Sequence, residues 1–518
     1  MFSKIGTFYL KGLKGVQIDV ETDISRGIPD FRVIGLCSSG IHESAKRVRT
    51  AIINSGFSFP KGRVTVNLAP ADIRKDGSGF DLPIAIGILT ACGLIPGDNV
   101  RDISFVGELS LDGSIKPIRG ILPMVIQMSS HGIKKFVIPK RNLSELYGTG
   151  FAAAGAESLR EAVDIILKNG SSNVFEMSEE FIYSNIGENG DTHPQYDFSD
   201  VFGQSDVKRA IEIAVSGRHN ILFMGCRGSG KTMLAKCIPG IMPKMSREEI
   251  LESASIYSAA GLLMRNDNKI SSDRPFREIQ PGITQTSLVG GRENGIGEIN
   301  LAHNGVLYID EITEMKPNLI DSLRMPLENC FSLYSKYGTI EKISADFLLV
   351  ATANPCRCGN LFEGADKCSC SRAQIKNRLS KISLPIADRI DIHIPVRSVK
   401  YSDYNKKGAE SSLEVRERIK RTTEIQSERY KNETVKLNGR LDRRLTERYC
   451  RPCVAARGLL ETAVNEMGFS VRGCEKVLRI ARTIADMDCR EEISKYDISE
   501  ALQYRMLDRK EFLGYGNF

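Results

Sequence analysis

One stretch of eight residues decides the fold of this chain: Gly225-Cys226-Arg227-Gly228-Ser229-Gly230-Lys231-Thr232. It fits the pattern G-x-x-x-x-G-K-[S/T] at every position, between an apolar run at 220–224 and a helix-like run at 233–238. In a strand–loop–helix unit, glycines let backbone N–H groups turn inward around phosphate oxygens, and the helix adds its positive end. The stretch predicts a nucleotide phosphate loop, in which Lys231 reaches the β- and γ-phosphates and Thr232 holds Mg²⁺.

Length and composition set the broad class. The 518 residues are too many for one core and suggest roughly three domains. With 41% hydrophobic and 26% charged residues, the chain is typical of globular proteins, and it has neither a long apolar run nor a signal-peptide core. We therefore expect a cytoplasmic protein without a membrane span, whose 13 cysteines are free thiols or metal ligands rather than a disulfide framework.

Two further strands predict the rest of a nucleotide site. The apolar strand at 305–309 ends in Asp310 and Glu311. Asp310 is suited to the Mg²⁺ shell, and Glu311 to polarising the attacking water. A second apolar strand, at 347–353, ends in the amide of Asn354. Two carboxylates at the end of an apolar strand, about 80 residues after a phosphate loop, are typical of ATP hydrolysis.

These segments resemble AAA+ ATPases, in which the position of Asn354 is sensor 1, near the γ-phosphate. Pro385-Ile-Ala-Asp-Arg389-Ile-Asp-Ile-His393 is similar to the arginine-finger segment of the same class. The resemblance implies that Arg389 stabilises the transition state in the neighbouring subunit's ATP site, and therefore that the chain forms a homo-oligomeric ring, most simply a hexamer. The alternative is an ion pair of Arg389 with Asp388 or Asp391 in the same chain.

The N-terminal region predicts a compact α/β domain of short strands and helices. Within it, the segments 75–79 and 107–120 resemble the Lon-type (S5) protease domain, which uses a serine nucleophile and a lysine base. The resemblance places the serine position at Gly79 and the lysine position at Met124. We therefore expect a Lon-like fold without peptidase activity.

A working peptidase is the alternative for this domain. It would use Ser78, one position from the expected nucleophile, with Lys75 or Lys116 as the base. A serine hydroxyl needs such a paired base to become a nucleophile, so this alternative depends on a lysine lying beside Ser78.

The branch of the AAA+ class is indicated by Arg274-Pro-Phe-Arg277, Ser287-Leu-Val-Gly-Gly291 and the segment 297–305, which look like magnesium-chelatase-type ATPases. Over its full length the chain resembles the YifB/ComM family. The resemblance implies an α/β multidomain protein with four parts: a Lon-protease-like domain at 1–168, a linker at 169–198, a P-loop AAA+ parallel-sheet core at 199–397 and a small helical lid domain at 398–518. One departure is at Gln280 and Pro281, where the family usually has two histidines.

Two insertions of this branch are expected to face the pore of the ring. One lies around 283–299, and the other, at 332–343, predicts a hairpin that turns at Gly338. Candidate contacts to a DNA backbone are Arg292, Lys336 and Lys342. An ordinary exposed, charged hairpin is the alternative. The segment 396–457 has 17 lysines and arginines against 9 acidic residues, within a net charge of +7 for the chain. This excess fits a nucleic-acid-binding patch or a solvated helical face equally well.

Four cysteines follow the Asn354 strand in one loop: Cys356, Cys358, Cys368 and Cys370. Four thiolates suit tetrahedral Zn²⁺, but the C-x-C spacing is less usual than C-x₂-C, so a structural zinc site and unmetallated thiols both stay open. In the C-terminal region, Ser470 is a predicted helix cap and Arg472 lies in the first turn that follows it. By resemblance Arg472 is sensor 2, touching the γ-phosphate; the alternative is a surface arginine.

The resemblance implies an ATP- and Mg²⁺-dependent ring motor acting on DNA, similar to ComM-type branch-migration helicases of recombination and natural transformation (competence). A chelatase-like or protein-remodelling AAA+ ATPase that does not act on DNA is the alternative. An ATP-dependent protease is disfavoured by Gly79 and Met124.

Overall fold

The computed structural model describes nine ranges of the chain: 1–36, 39–168, 196–263, 270–291, 295–336, 339–363, 367–399, 410–466 and 469–508. Its strands are β1 (Phe2–Lys11), β2 (Lys14–Ser25), β3 (Asp30–Ile34), β4 (Arg63–Ala69), β5 (Ile103–Phe105), β6 (Glu108–Leu109), β7 (Ile115–Lys116), β8 (Lys135–Pro139), β9 (Ala153–Ala156), β10 (Ile221–Gly225), β11 (Phe276–Ile279), β12 (Val306–Ile309), β13 (Phe331–Lys336), β14 (Thr339–Ser344), β15 (Leu348–Ala353) and β16 (Ile392–Val396).

The α-helices are α1 (Ser39–Asn54), α2 (Asp81–Ala91), α3 (Ile121–Ser130), α4 (Leu159–Leu167), α5 (Ser205–Gly217), α6 (Lys231–Ile241), α7 (Arg247–Ala259), α8 (Gln285–Val289), α9 (Glu298–Leu301), α10 (Pro317–Ser322), α11 (Arg324–Asn329), α12 (Arg372–Leu379), α13 (Leu384–Ala387), α14 (Ser412–Arg429), α15 (Arg443–Tyr449), α16 (Val454–Asn465), α17 (Val471–Met487) and α18 (Lys495–Gln503). Among the described helices, none has the length and apolar character needed to cross a bilayer.

The N-terminal region contains a four-stranded sheet in the order β1-β2-β4-β3 and a three-stranded sheet in the order β5-β8-β9. In β4 the apolar residues alternate, so Val64, Val66 and Leu68 are fully buried on one face. Helix α2 lies between the sheet and neighbouring helices, and ten of its eleven residues are buried. This burial explains why its sequence is apolar on nearly all sides. The predicted α/β organisation of this region is confirmed.

The central region is built on a five-stranded parallel sheet in the order β11-β12-β15-β10-β16. Helices cover both faces, which explains why β10, β12 and β15 are continuous apolar runs rather than alternating ones. The carboxyl ends of these three neighbouring strands lie at the same edge of the sheet. Ligands bind at that edge in open α/β sheets, so the fold brings the predicted nucleotide residues together there. The α/β multidomain class and the AAA+ parallel sheet are confirmed.

The C-terminal region is helical, from α14 to α18. The amphipathic helix α17 buries Val477, Ile480 and Ile484 in the same apolar cluster as the central sheet. Its predicted cap is present, since Ser470 Oγ accepts a hydrogen bond from the Gly473 N–H at 3.1 Å. The described residues do not fix the predicted domain boundaries, which stay predictions. Phe198, placed in the linker from sequence, is 1% exposed and belongs to this cluster.

The described residues of the Lon-like region contact the central region at helix α7 and at the β13–β14 hairpin. Helix α3 begins on α7: the Gly120 N–H donates to the Ser258 carbonyl at 3.0 Å, and the Leu122 N–H donates to Ser258 Oγ at 3.3 Å. At the hairpin, Lys11 at the end of β1 forms an ion pair of 3.4 Å with Glu341. The hairpin is therefore in direct contact with the Lon-like region.

Candidate nucleotide site and cysteine cluster

The predicted phosphate loop connects β10 to α6. Gly228 and Gly230 have φ values of 78° and 90°, a left-handed backbone that glycine adopts without the strain that a Cβ brings. Gly225 is required by close packing, because a Cβ there would lie 2.1 Å from the Val396 carbonyl oxygen. Gly230 directly precedes the 11-residue helix α6, whose free N–H groups face the loop. The loop has the shape and the dipole needed for phosphate oxygens.

Lys231 lies at the centre of this loop and is 7% exposed. Its ammonium donates to the carbonyl oxygens of Gly225 at 2.9 Å and Cys226 at 2.7 Å, and to Asn354 Oδ1 at 3.2 Å. Burial lowers the pKa of Lys231, and the nearby Glu311 carboxylate opposes that effect. The structure thus brings Lys231 and Asn354, 123 residues apart, into direct contact.

Asp310 is oriented by two hydroxyl groups. Tyr308 Oη and Thr352 Oγ1 each donate to Asp310 Oδ1 at 2.8 Å. The Tyr308 hydroxyl also interacts with the side chain of Thr232, which places the predicted Mg²⁺ hydroxyl beside the predicted Mg²⁺ carboxylate. Burial is the largest of the causes that raise the pKa of Tyr308, so its hydroxyl stays a donor at neutral pH.

The roles of Tyr308 and Thr352 were missed from sequence, although a signal exists. Tyr308 stands two residues before Asp310, and Thr352 two residues before Asn354. Side chains at positions i and i+2 of a strand lie on the same face. Polar side chains at these positions in otherwise apolar strands indicate support for the residues that follow them.

Glu311 is held in an uncommon backbone conformation. Its φ of 51° is left-handed, which is costly for a residue with a Cβ and is found at sites where the surrounding structure fixes it. The Glu311 N–H donates to Thr352 Oγ1 at 2.8 Å, and Asn354 Nδ2 donates to Glu311 Oε1. The other carboxylate oxygen, Oε2, is buried without a hydrogen-bond partner among the described residues. Asn354 therefore connects the loop lysine to this carboxylate.

The two predicted arginines lie apart from this cluster. Arg389 donates to the Pro385 carbonyl at 2.7 Å and forms an ion pair with Glu328, which is 57% exposed. The predicted alternative partners were Asp388 and Asp391, and the structure pairs it with Glu328 instead. Arg472 is exposed on α17 and makes no hydrogen bond or ion pair with the described residues. Neither residue is brought to the phosphate loop within this chain.

The residues present fit a nucleotide with its magnesium ion. A left-handed glycine loop at a helix N-terminus suits phosphate groups. A hydroxyl and an oriented carboxylate are the oxygen ligands that Mg²⁺ prefers, and these are Thr232 and Asp310. The buried oxygen of Glu311 without a hydrogen-bond partner marks where a water molecule would be bound.

The four loop cysteines form a compact cluster. Their sulfur atoms all lie within 4.8 Å of one another, with Cys356–Cys358 at 3.4 Å, Cys358–Cys368 at 3.6 Å and Cys356–Cys368 at 3.7 Å. Four thiolates bound tetrahedrally to zinc at about 2.3 Å would have sulfurs about 3.8 Å apart. The Asn360 N–H lowers the pKa of Cys358 to about 6, whereas burial raises that of Cys356 to about 12. The donor set and its size fit Zn²⁺.

The first part of the cysteine-bearing loop 355–371, residues 355–363, packs directly on the phosphate loop. A Cβ at Gly359 would lie 3.1 Å from the Cys226 Cα, so the two backbones nearly touch. Beyond Gly359, the Glu363 carboxylate accepts hydrogen bonds from the Cys226 thiol at 3.5 Å and the Ser398 N–H at 2.7 Å. The cysteine loop therefore forms one wall of the nucleotide site.

The predicted hairpin is formed by β13 and β14, paired from Phe331 with Ser344 to Lys336 with Thr339. Lys342 is exposed, and its ammonium lies 4.4 Å from the centre of the Phe331 ring. Lys336 ends β13, whereas Arg292 and the turn at Gly338 lie outside the described residues.

The position at which this chain departs from the family's histidine pair lies just after β11. Gln280, at the position of the family's first histidine, donates to Glu278 at 3.4 Å.

A cavity of about 1210 Å³ lies between the Lon-like region and the hairpin, and its lining includes Ser78, Gly79 and Met124 on one side and Tyr334 and Glu341 on the other. The Ser78 hydroxyl donates to Glu108, and no described lysine lies within hydrogen-bond distance of it. Lys75 is buried and donates to the Pro70 carbonyl. These contacts give no support to the alternative of a working peptidase, which requires a lysine beside the serine.

Family models match three successive parts of the chain. The model described as "Magnesium chelatase, subunit ChlI" matches residues 197–404, "Subunit ChlI of Mg-chelatase" matches 20–142, and "Magnesium chelatase, subunit ChlI C-terminal" matches 409–505.

Similar proteins span the same length. Competence protein ComM of Haemophilus influenzae is 35% identical over 97% of this chain and 97% of its own. The uncharacterized protein YifB of Escherichia coli is 34% identical over 96% of each chain. Lon protease 2 of Bacillus subtilis is 30% identical over 28% of this chain and 27% of its own, which is a partial similarity. With its parallel-sheet nucleotide fold and these full-length similarities, the chain belongs to the YifB/ComM family of magnesium-chelatase-like AAA+ ATPases.

Proposed function

We propose that this protein is a ring-forming motor that hydrolyses ATP with Mg²⁺ and acts on DNA. The observation that carries the proposal is the chain of contacts from Lys231 through Asn354 to Glu311. It joins a phosphate-binding group, a polar sensor and a carboxylate in one site, which is the set of parts that phosphoryl transfer to water needs.

Each residue has a separate task in this proposal. The N–H groups of 225–232 and the Lys231 ammonium bind the β- and γ-phosphates. Thr232 and Asp310 hold Mg²⁺, which when bound neutralises charge on the phosphate oxygens. Glu311 orients a water molecule and accepts its proton, and Asn354 keeps the carboxylate aligned with the γ-phosphate. Arg472 on the lid completes the site as it closes.

The ring is proposed because of Arg389, which does not reach the nucleotide site of its own chain. It lies after the Asn354 strand, and among the described residues its guanidinium pairs with the exposed Glu328 and a local carbonyl. In a ring, preferably a hexamer, Arg389 would exchange Glu328 for the phosphates bound by the neighbouring subunit. An ion pair to an exposed carboxylate costs little to break, on the order of 0–1 kcal/mol.

DNA is proposed as the substrate because of the hairpin face. Leu333, Ile340 and Lys342 are all exposed there, the first two at 48% and 67%. An exposed apolar and basic face suits bases and phosphates of a nucleic-acid strand, with Lys336 and Arg292 as further candidates. The name of the ComM relative points to competence, and we place the activity in recombination during natural transformation, in the cytoplasm.

A structural zinc ion is part of the proposal. Cys356, Cys358, Cys368 and Cys370 would hold it and so fix loop 355–371 against the phosphate loop. We propose the same domain boundaries as the sequence predicts. In this proposal the Lon-like domain has no peptidase activity and contacts the hairpin.

One alternative is favoured by a specific observation: the three family models that match are all described as a magnesium chelatase subunit, and they cover 20–142, 197–404 and 409–505. A chelatase-like or protein-remodelling ATPase would use the same nucleotide site on a protein partner. DNA dependence separates the two functions.

The test is ATP-dependent strand displacement and branch migration on forked DNA, with the Lys231→Ala variant as the inactive control. We expect DNA to stimulate ATP hydrolysis and strands to move only with the unmodified protein. If ATP is hydrolysed at a rate that no DNA changes and no strand moves, the DNA proposal fails while the ATPase stands.

A further inference from the structure

Helix α12 carries an arginine that faces the nucleotide site of its own chain. Arg378, in the last turn of α12, is 16% exposed. Its Nη2 donates to Glu314 Oε1 at 2.5 Å and lies 3.7 Å from Glu311 Oε2. Among the described residues, Arg378 is the side-chain cation found within ion-pair distance of Glu311.

Each of these two side chains has a buried atom without a hydrogen-bond partner among the described residues: Arg378 Nε and Glu311 Oε2. A buried donor beside a buried acceptor is costly unless the two pair directly or through water. A small rotation of the guanidinium, or one water molecule, would satisfy both atoms. Direct pairing of Arg378 with Oε2 would therefore remove an energetic cost that the present arrangement leaves.

The surroundings explain why a cation is needed here. Asp310, Glu311 and Glu314 put three carboxylates within five residues of the chain. The Arg378 hydrogen bond is the largest of the causes that lower the pKa of Glu314. Asn354 donates to Glu311 Oε1, and Arg378 lies near Oε2, so each oxygen of this carboxylate is contacted by a different residue.

We propose that Arg378 is a positioning residue that acts in cis on Glu311, holding the Oε2 oxygen in the orientation that activates water. This rests on the proposed ATPase function. It differs from the role proposed for Arg389, which would act on the neighbouring subunit. Arg378 acts through Glu311 and does not need to touch the nucleotide, so it affects turnover rather than nucleotide binding.

The helix that carries Arg378 begins at the cysteine loop. Ser371, one residue after Cys370, caps α12, and its Oγ accepts from the Gln374 N–H at 3.3 Å. The position of Arg378 is therefore set by the same loop that packs on Cys226. This gives the cysteine cluster a reason to be close to the site.

The test is steady-state ATP hydrolysis by Arg378→Ala, Arg378→Lys and Lys376→Ala in the full-length protein. Lys376 is the matched control, because it is exposed on the same helix. We expect Arg378→Ala to lower kcat by about 10-fold to 100-fold, with KM and binding of a fluorescent ATP analogue nearly unchanged. Arg378→Lys should restore part of the rate, and Lys376→Ala should keep all of it.

A double-mutant cycle with Glu311→Gln separates positioning from a general structural effect. If Arg378 acts through Glu311, Arg378→Ala has no further effect on the residual rate of Glu311→Gln. An equal fractional loss in both backgrounds, or a kcat like that of Lys376→Ala, overturns the inference. If the unmodified protein hydrolyses no ATP, it is the proposed function that fails.

Discussion

The side-chain oxygen of Asn354 accepts a hydrogen bond from the Lys231 ammonium at 3.2 Å. Through its amide nitrogen the same side chain donates to Glu311. These groups come from the start of α6, the end of β15 and the residue pair after β12, and the parallel sheet brings them together at one edge. One neutral amide thus touches both the phosphate-binding cation and the proposed catalytic carboxylate.

The first prediction separates binding from hydrolysis at this site. Lys231→Ala should abolish tight ATP binding, because the buried ammonium is the charge that faces the phosphates. Glu311→Gln should keep ATP bound but slow hydrolysis by about 10²–10³-fold, because it removes the group that activates water. Nucleotide binding and phosphate release are measured side by side.

Lys236→Ala is the matched control for Lys231, since Lys236 lies on the same helix and pairs with Glu278 at 3.4 Å on the surface. It should bind and hydrolyse ATP normally. If Glu311→Gln turns over ATP at the rate of the unmodified protein, the assignment of Glu311 is wrong.

The second prediction concerns the cysteine cluster. Protein purified without chelator should contain about one zinc ion per chain, because four sulfurs at this spacing form a tetrahedral site. Cys356→Ser and Cys368→Ser should each lose most of the metal, as measured by mass spectrometry of the elements. Cys489→Ser, at an exposed cysteine far from the cluster in sequence, should keep it. Zinc below one tenth of the chain concentration, unchanged by Cys356→Ser, would contradict the site.

The third prediction is a pH dependence at the contact between core and lid. His219 is 1% exposed and shares a 2.7 Å hydrogen bond with Thr483 on α17. Burial lowers its pKa to about 4 from an ordinary 6.5. Below pH 6.5 the imidazole therefore binds a proton in the unfolded chain, whereas in the folded chain it stays neutral down to about pH 4. The free energy of unfolding consequently decreases as the pH falls from 6.5 to 4.

The loss assigned to His219 approaches about 3 kcal/mol at pH 4. Urea unfolding at several pH values should show it as the difference between the unmodified protein and His219→Gln, which cannot titrate. The variant is expected to be less stable at pH 7.5, where it loses packing, and relatively more stable towards pH 4. A constant difference across this range would show that His219 titrates normally.

The fourth prediction concerns the ion pair between the Lon-like region and the hairpin. Lys11 and Glu341 are 3.4 Å apart and 32% and 18% exposed. Lys11→Glu should weaken this contact by repulsion and change DNA-stimulated ATP hydrolysis, whereas Lys11→Glu combined with Glu341→Lys should restore it. Lys4→Glu, in the same strand but paired with Asp19, is the control. If the double variant is no closer to the unmodified protein than either single one, the ion pair does not couple the two regions.

Much of the site was predictable because its residues lie in contiguous motifs. Strand, loop and helix around Lys231, and the strands before Asp310 and Asn354, each follow from a local apolar run with a polar end. The parallel sheet then has to place those ends at one edge. The supporting residues Tyr308 and Thr352 were within reach by the same periodicity.

The rest depends on contacts that no local pattern contains. Arg378 is 67 residues after Glu311, and whether it reaches the carboxylate depends on how loop 355–371 folds. Arg389 shows the same limit, since the segment that carries it was recognised but its partner Glu328, on a different helix, was not. Long, flexible side chains choose partners by tertiary geometry, so their pairing could not be obtained from sequence spacing.

Loop 355–371 contacts the nucleotide site at Cys226 through Gly359, and helix α12, which follows the loop, reaches Glu311 through Arg378. A metal ion bound in this loop would therefore affect the rate of ATP hydrolysis without direct contact to the nucleotide. The apolar sheet would stay folded without the metal. Protein made without zinc would then fold and bind ATP, but it would hydrolyse ATP slowly. The proposed zinc site would therefore make turnover depend on the zinc supply, a dependence that neither the phosphate loop nor the β13–β14 hairpin imposes.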